Sequence, residues 1–401
     1  MISDLISEIA MGPFGSNIKV ECFVDDGIPV LNGSNLTGFF LNDNSLRYVT
    51  EEKAESLGKA NAHKGDIVIT HRGTLGQIVC IPETSMYDRY VISQSQFRVK
   101  CNELVLPEYM MYYFHTSIGQ HKLLSNTSQV GVPALARAST TFQKIEIEIP
   151  DVKTQAKIVG LLRALQQKIE LNEKINKNLE LQAQAVFKSW FVDFEPFGGF
   201  QPSDWQLGTV DDLAKEVICG KTPSTKKEEY YGEGVPFITI PDMHNCIYSL
   251  NTARSLSLLG SESQAKKTLP YNSVCVSCIG TAGLVTLVPV PSQTNQQINS
   301  IIPKDEISPY YVYLLMQTMS ELINKLGQSG STIVNLNKAQ FGKIAVLIPT
   351  PKVMTAFTKL TEPIFQLILT NQQENNHLVN LRDILLPKLM SGEIDVSKID
   401  I

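Results

Sequence analysis

The stretch Ile145-Glu146-Ile147-Glu148-Ile149-Pro150 decides how this 401-residue chain is organised, because a version of it returns 199 residues later as Ile344-Ala345-Val346-Leu347-Ile348-Pro349. Other matches keep the same order along the chain, with an offset that drifts upstream as changes in loop length would produce. They include Phe142 with Phe341, Asn172 with Asn371, Gly73-Thr74 with Gly280-Thr281, and Gln94 with Gln296. Ordered matches at a long period indicate internal duplication. We therefore predict a repeated unit made of two parts.

The first part of each unit has the pattern of mixed α and β structure. Short apolar or alternating runs at 67–69, 77–81 and 145–149 are bounded by glycine, proline and aspartate, which is typical of strands. Two further segments, Pro107 to His121 and Pro309 to Leu326, begin with proline and space their apolar residues as helices do. This part of each unit is predicted to fold as a compact mixed domain.

The second part of each unit predicts one long helix. Residues 154–190 contain no proline and one glycine, and their apolar residues recur every three or four positions. At 1.5 Å per residue this segment would be about 55 Å long, and a pattern of this length favours a coiled coil. The repeat gives a second such helix at 355–390. The two segments would most simply pair with each other, antiparallel about a pseudo-two-fold axis, with the mixed domains at opposite ends.

Asn172 and Asn371 interrupt the apolar seams at equivalent places in the two long segments. A buried asparagine in a coiled-coil seam weakens the pairing but fixes its register and orientation. We predict this role for both residues. The alternative is that the segments are unrelated surface helices whose asparagines are solvated.

Together these patterns predict an α+β protein with two similar mixed α/β domains, separated by two long α-helices that form an antiparallel coiled coil. The predicted segments are a first mixed domain at 1–150, a central helix at 151–193, a second mixed domain at 194–349, and a C-terminal helix and tail at 350–401.

Composition limits the classes of function and the location of the chain. The formal net charge is −5, and no segment is strongly basic, so any affinity for nucleic acid must come from local clusters or from partner proteins. The opening residues lack the basic and apolar regions of a secretory signal, and no apolar run is long enough for a membrane span. We expect a cytoplasmic protein with no membrane partner.

Motifs that carry catalysis or bind metal are missing from the sequence. There is no Walker A motif, no G-x-G-x-x-G, no HExxH and no Gly-x-Ser-x-Gly. The single CxxC, Cys275 and Cys278, stands alone in a strand-like run, which favours ordinary buried thiols. His71 could be structural, could contact a ligand, or could be catalytic. The chain is predicted to be a binding protein without a cofactor or metal of its own.

Two similar domains at a fixed separation suit duplex DNA, where half-sites are also separated by a fixed distance. Amide side chains read adenine, guanidinium groups read guanine or phosphate, and lysine and hydroxyl groups contact phosphate. The amide-rich runs at 93–96 and 294–299 are equivalent in the two units, residues 71–74 offer a guanidinium, and residues 221–227 form a basic, hydroxyl-rich loop. The alternative for each loop taken alone is a solvated turn. The predicted DNA-contact residues are Arg72, Thr74, Gln94, Gln96 and Arg137 in the first domain, and Lys221, Thr222, Lys226, Thr281, Gln296, Asn299 and Asn335 in the second.

Several stretches resemble the specificity subunits of type I restriction-modification systems. The end of the first long segment, Phe187-Lys188-Ser189-Trp190-Phe191-Val192-Asp193-Phe194-Glu195-Pro196, is similar to that family's central linker. The end of the second, Leu385-Leu386-Pro387-Lys388-Leu389-Met390-Ser391-Gly392-Glu393-Ile394, is similar to its C-terminus. Trp205-Gln206-Leu207-Gly208 and the following Gly220-Lys221-Thr222-Pro223 resemble the opening of its second target recognition domain, as does Gly234-Val235-Pro236-Phe237-Ile238. The resemblance covers nearly the full chain.

This resemblance implies that each target recognition domain reads one half of an asymmetric bipartite DNA sequence, with the long helices setting the spacer. It also implies two methylation subunits that use S-adenosylmethionine, and restriction subunits that use ATP and magnesium, as partners. The net negative charge of the chain is unlike the basic character expected of a DNA-binding protein. Partner subunits are therefore expected to supply most of the phosphate neutralisation. A protein-interaction scaffold with two binding heads remains the main alternative, and a free-standing hydrolase or nuclease is a third.

Overall fold

A computed structural model describes residues 1–128, 132–328 and 335–396. The chain divides into two compact units, unit 1 with residues 1–167 and 378–401 and unit 2 with residues 168–377. Each long helix contributes residues to both units, whereas the sequence analysis placed each long helix in a segment of its own.

Unit 1 is built mainly from short strands and helices that precede the first long helix. Its elements are β1 (Ile6–Met11), β2 (Phe23–Val24), β3 (Ile28–Val30), β4 (Arg47–Val49), α1 (Glu51–Ser56), β5 (Asn61–His63), β6 (Ile67–Thr70), β7 (Ile78–Cys80), β8 (Arg89–Val91), β9 (Gln96–Cys101), α2 (Pro107–His115), α3 (Ser117–Leu124), β10 (Thr127–Ser128), β11 (Ala134–Leu135) and α4 (Ala138–Gln143). The first long helix, α5, spans Val152–Phe191. An antiparallel sheet of order β1-β9-β6-β7 and a mixed sheet of order β2-β4-β3-β8-β5 form its framework.

Unit 2 repeats this plan, with some elements longer and others shorter than their counterparts in unit 1. They are β12 (Gln206–Thr209), α6 (Val210–Leu213), β13 (Ala214–Cys219), β14 (Tyr231–Ile238), β15 (Ser255–Leu256), α7 (Leu258–Glu262), β16 (Val274–Ser277), β17 (Val285–Leu287), β18 (Gln293–Thr294), β19 (Ile298–Pro303), α8 (Pro309–Thr318), α9 (Ser320–Gly327), α10 (Lys338–Gly342) and β20 (Ala345–Ile348). The second long helix, α11, spans Pro351–Met390. The sheet of order β13-β19-β16-β17 matches β1-β9-β6-β7 strand for strand.

The two sheets share an irregularity that confirms the repeat. In β1 the register against β9 slips between Ile6 and Glu8, and in β13 the register against β19 slips between Ala214 and Glu216. Each unit also has one parallel strand pair, β3 with β8 and β14 with β18. A bulge adds a residue at a defined place in a strand, so its presence at corresponding positions supports one ancestral architecture for both units.

One predicted strand is wrong. Residues 145–149 form no strand, whereas the corresponding segment of the repeat is β20, which pairs with β12. A strand needs a neighbour to satisfy its peptide groups, and among the described residues this segment accepts one main-chain hydrogen bond from another part of unit 1, from Ile2 N to Ile145 O (2.8 Å). The predicted helices at 107–121 and 309–326 are each confirmed as a pair of shorter helices.

The core of each unit lies between its four-stranded sheet, its helix pair and the ends of the long helices. In unit 1, Phe97 and Tyr112 pack with Leu162 of α5 and Leu386 of α11. In unit 2, the buried aromatic residues of α8 pack with Phe187 of α5 and with Phe357 of α11. The mixed domains and the long helices therefore fold as continuous cores.

The long helices run antiparallel within each unit. In unit 2, Asn172 contacts Asn375 while Asn176 contacts Asn371, so numbers rise along one helix as they fall along the other. In unit 1, Arg382 Nη1 donates to Gln166 Oε1 (2.9 Å). The helices begin within four residues of the predicted starts and end within one residue of the predicted ends. Leu360, Leu367 and Leu381 have the spacing of the predicted apolar seam on the second helix, but the structure leaves all three exposed.

The predicted register asparagines are part of a four-asparagine layer in unit 2. Asn172 Nδ2 donates to Asn375 Oδ1 (2.8 Å), and Asn375 Nδ2 donates to Ile169 O (3.2 Å). In the other half of the layer Asn371 Nδ2 donates to Asn176 Oδ1 (2.8 Å), and Asn176 Nδ2 lies 3.4 Å from Ile368 O. Ile368 corresponds to Ile169 in the repeat. Asn172 and Asn371 are both buried. They bond to asparagines one turn along the opposite helix and not to each other, which fixes the register.

Candidate DNA-contact site

Three separate segments meet at one edge of the main sheet in unit 1. We call residues 71–74, 93–96 and 133–137 loop cluster 1. His71 N donates to Ser95 O (2.8 Å), and Gly73 N donates to Pro133 O (3.0 Å). Arg72 also forms an isolated bridge with Ala134. These main-chain bonds hold the three segments together, so that residues distant in sequence present their side chains from adjoining loops.

Unit 2 builds the same arrangement from corresponding residues. We call residues 220–222, 278–281, 294–297 and 335–336 loop cluster 2. Cys278 N donates to Gln297 O (2.8 Å), Leu336 N donates to Cys278 O (2.9 Å), and Ile279 bridges to Asn335. Here the loop after the first sheet strand joins the cluster directly, since Thr222 Oγ1 donates to Gln296 Oε1 (2.6 Å).

A glycine in each unit allows the chain to approach the cluster closely. A Cβ atom on Gly12 would lie 1.8 Å from Ser93 O, and one on Gly220 would lie 2.1 Å from Asn295 O. No other residue fits such an approach without moving the backbone. The end of the first sheet strand therefore passes directly against the amide-bearing loop in both units.

Most of the predicted contact residues are exposed in these clusters or, for Lys226, in the loop that leads out of loop cluster 2. Nine side chains are exposed: Arg72, Thr74, Gln94, Arg137, Lys221, Lys226, Thr281, Gln296 and Asn335. Thr222 is half-buried and bonded to Gln296. The fold thus brings residues from different parts of the sequence into one cluster in each unit. Their role in contacting DNA stays a prediction.

Gln96 and Asn299 are corrections to the sequence-based set. Gln96 is fully buried and its Oε1 accepts a hydrogen bond from Ser93 N (2.9 Å). Asn299 is 3% exposed and its Nδ2 donates to Leu336 O (3.2 Å). Both side chains shape the loops from inside, because the first four residues of β9 and of β19 are buried on both faces of the sheet. Neither side chain is exposed at the surface of its loop cluster.

His71 supports loop cluster 1. Its Nε2 lies 3.1 Å from Gln94 O, and its ring packs near Phe97. Burial lowers the pKa of His71 below its ordinary value, which favours the neutral ring. The side chain therefore orients the loop that carries Gln94, and the structural interpretation of His71 is the one that the geometry supports.

The cysteine pair that might have suggested chemistry is buried in the sheet of unit 2. Cys275 and Cys278 are at most 1% exposed, as the sequence predicted. Burial raises the pKa of both thiols to about 12. Within the ranges 1–128, 132–328 and 335–396, no group of three or more His, Cys, Asp or Glu residues is placed to hold a metal ion.

Two exposed arginines outside the predicted set were missed in the sequence. Arg47, in β4, and Arg254, the residue just before β15, are exposed at corresponding places in the two units, although no motif in the sequence marks either of them. The signal that could have identified them is the repeat itself, once the strands of both units are aligned by their pairing.

Of the described helices, none is both long and apolar enough to cross a membrane.

The repeated α/β domains, the antiparallel long helices and the matched loop clusters define a class of protein in which two similar domains each present a cluster of loops. The family model for the type I restriction modification DNA specificity domain matches this chain twice, at residues 19–181 and 202–380. The chain belongs to this family and is a specificity subunit of a type I restriction-modification system, the non-catalytic part of such a complex.

Individual relatives agree with this assignment. The chain is 33% identical to the type I restriction enzyme HindI specificity subunit of Haemophilus influenzae, over 89% of this chain and 93% of the relative. It is 24% identical to the MjaIX specificity subunit of Methanocaldococcus jannaschii, over 98% of this chain and 93% of the relative. The crystal structure of a type I restriction-modification S subunit from M. genitalium has the same fold, with a TM-score of 0.62 at 15% identity over 97% of this chain and 94% of that one.

Proposed function

We propose that this chain selects an asymmetric bipartite DNA sequence, with loop cluster 1 contacting one half and loop cluster 2 contacting the other. The observation that carries the proposal is the construction of the clusters: the same main-chain bonds support different side chains. Arg72 in cluster 1 corresponds to Ile279 in cluster 2, and Ala134 corresponds to Asn335. Because base identity is read by side-chain chemistry, equal scaffolds with unequal side chains suit two unlike half-sites.

The long helices would set the spacer between the half-sites. The four-asparagine layer supports this part of the proposal, because it fixes the helices in one register and so prevents sliding. A ruler needs a fixed length, and a sliding pair of helices would blur it. The spacer would contain base pairs that the chain does not read.

The partners we propose are double-stranded DNA, two methylation subunits and restriction subunits. S-adenosylmethionine, ATP and magnesium would be bound by those subunits. Leucine and isoleucine side chains on the long helices are 45–58% exposed and offer apolar docking surface. They are Leu171, Leu181, Leu360, Leu367, Leu381 and Ile384.

The test is to express this chain with its cognate methylation subunit in a host free of DNA methylation, and to sequence the modified bases on single molecules. We expect adenine methylation at one motif with two unlike halves and a constant spacer. The variant with both Arg72→Ala and Gln94→Ala should lose selectivity in one half only. The variant with both Gln296→Ala and Asn335→Ala should lose it in the other half.

Two results would contradict the proposal. One is a stable complex with the methylation subunit that methylates DNA without a common motif. The other is that the chain binds no methylation subunit and instead retains an unrelated protein, as the scaffold alternative requires.

A further inference from the structure

Each unit carries an arginine at the same position of its mixed sheet. In unit 1, Val30 pairs in parallel with Val91 and antiparallel with Arg47. In unit 2, Phe237 pairs in parallel with Gln293, and its N donates to Arg254 O (3.2 Å). Arg47 and Arg254 therefore correspond. Arg254 is also the only arginine in the sequence between residues 194 and 349. Its position is the one that Arg47 occupies in unit 1.

An aromatic residue accompanies each arginine. Phe23 pairs with Val49 of β4, the strand that contains Arg47, and Tyr231 pairs with Leu256 of β15, the strand that directly follows Arg254. The Arg47 guanidinium lies 5.3 Å from the centre of the Phe23 ring, a cation–π contact that holds it across the ring face.

The aromatic ring of unit 2 is attached to the basic loop that leads out of loop cluster 2. Tyr231 Oη donates to Pro223 O (2.8 Å), and Pro223 follows Lys221 and Thr222 directly. In unit 1 the same loop contributes Phe14 and Ile18 to the wall beside Phe23. The arginine positions are therefore continuous with the residues already placed at the clusters.

Both arginine–aromatic pairs open onto a cavity. Arg47 and Phe23 line one of about 440 Å³ that also reaches Gln94 of loop cluster 1. Arg254 and Tyr231 line one of about 580 Å³. We call these cleft 1 and cleft 2. Small hydroxyl side chains line both clefts: Ser45 and Ser93 in the first, and Thr225, Thr252 and Ser255 in the second.

The arginines carry charge that no carboxylate among the described residues neutralises. Both are exposed, and neither forms an ion pair with any residue in the described part of the chain, whereas Arg89 and Arg98 of the same unit as Arg47 do. In a chain of net charge −5, such a guanidinium at matching places in two heads is a feature that folding does not require. Its fork of N–H groups and the neighbouring hydroxyl groups match the oxygens of a phosphodiester.

We propose that Arg47 and Arg254 each bind a backbone phosphate of the DNA and so position the two heads on the duplex. This rests on the proposed DNA recognition and names the contact within it that does not depend on sequence. Phosphate contacts position a protein, while base contacts specify the sequence. The residue shared by two heads with unlike half-sites therefore suits the phosphate, and the residues that differ, such as Asn32 in cleft 1 and Glu233 in cleft 2, are left for the bases.

The experiment uses the complex of the full chain with its methylation subunit, and measures its affinity for the cognate duplex and for an unrelated duplex across a series of salt concentrations. The variants are Arg47→Gln and Arg254→Gln. Lys144→Gln and Lys343→Gln are the matched controls, because these lysines are exposed, correspond in the repeat, and line neither cleft. Thermal unfolding of each variant verifies that the fold is intact.

Each arginine variant should bind both duplexes about tenfold more weakly. The slope of log affinity against log salt should become shallower by about 0.9, because the variant neutralises one phosphate fewer than the wild type. Arg47→Lys and Arg254→Lys should keep the slope. The controls should change neither quantity by comparable amounts.

Weaker binding of the cognate duplex alone, with an unchanged salt slope, would mean that the arginines read bases and would overturn the proposal. So would unchanged binding in both arginine variants. A wild-type complex that does not prefer its cognate duplex would instead refute the proposed function itself, which separates the two failures.

Discussion

His115 is a titratable side chain that unit 1 holds in its neutral form. Its Nε2 lies 2.8 Å from Ile78 O, and its ring centre lies 4.5 Å from that of Phe39. The guanidinium of Arg382 lies 4.7 Å from the centre of the same Phe39 ring. Burial lowers the pKa of His115 below its ordinary value of 6.5, and the positive charge of Arg382 acts in the same direction.

Stability should therefore fall as the pH decreases from about 6.5 through the lowered pKa of His115, because the unfolded chain takes up the proton first. His115→Gln keeps an N–H donor for Ile78 O and cannot titrate, so its stability should depend less on pH in that window. Urea unfolding at pH 7.5, 6.5 and 5.5 measures this, with the exposed His121→Gln as control. Identical pH dependence in wild type and His115→Gln would contradict the assignment.

Arg98 carries the buried charge of unit 1. It lies 3.0 Å from Glu8 and 3.3 Å from Asp66, and its Nε donates to Lys59 O (2.8 Å). Hydrogen bonding to Arg98 lowers the pKa of Glu8, while burial raises the pKa of Asp66. Arg98 is 5% exposed, so the network depends on complete pairing.

Arg98→Ala should destabilise the protein by about 3–5 kcal/mol, because it leaves the carboxylate of Asp66 buried without its partner. Arg89→Ala is the matched control: Arg89 pairs with Glu51 at the surface, and its removal should cost at most about 1 kcal/mol. Denaturant unfolding compares the two variants. Equal destabilisation would show that the buried pairing contributes nothing beyond an ordinary surface ion pair.

At the scale of the element, the long helices are symmetrical in their asparagines and asymmetrical around them. Lys168 lies 3.1 Å from Glu374, and Asn172 also donates to Glu374 (2.7 Å). The residues that correspond to this ion pair by the repeat are Leu367 and Ile175. One half of the layer thus has an extra ionic contact that the other half lacks.

Asn172→Leu should destabilise the protein by about 1–3 kcal/mol, because Glu374 and Asn375 lose a buried donor. Asn178→Leu is the control on the same helix, since Asn178 is exposed and its replacement should be nearly neutral. Equilibrium unfolding in guanidinium chloride distinguishes them. A neutral Asn172→Leu would mean that the layer is not needed for the pairing of the helices.

At the scale of the whole molecule, the chain combines low net charge with two recognition heads. The charge of −5 disfavours general attraction to DNA, so the proposed recognition relies on local contacts at the clusters and clefts and on the proposed partner subunits. The proposed ruler belongs to this scale, because it depends on the length of both long helices and not on any one contact.

Deleting residues 178–181 from α5 and 366–369 from α11 should shorten the spacer of the methylated motif by about two base pairs, since four helical residues span about 6 Å. The two half-sites should stay the same. Methylome sequencing measures both properties. A variant of unchanged length, with Asn178→Gln and Leu367→Met, is the control. The original spacing in the shortened variant would refute the ruler.

Much of this architecture follows from the sequence by itself. The repeat, the long helices and their Asn172 and Asn371 interruptions are encoded by local periodicity, which one chain displays directly. The family resemblance rests on contiguous motifs, which are equally local. Residues at the cluster loops, such as Gln94 and Gln296, could be predicted because they match each other when the two halves of the sequence are aligned.

Only the tertiary structure decided which side chains reach the surface and which strands have partners. Gln94 and Gln96 are two residues apart and chemically identical, yet one is exposed and the other fully buried. Arg47 and Arg254 became related only when strand pairing aligned them. The physical reason is that burial, hydrogen-bond partners and sheet neighbours are set by contacts between residues far apart in the chain, whereas propensity and periodicity are set by residues close together.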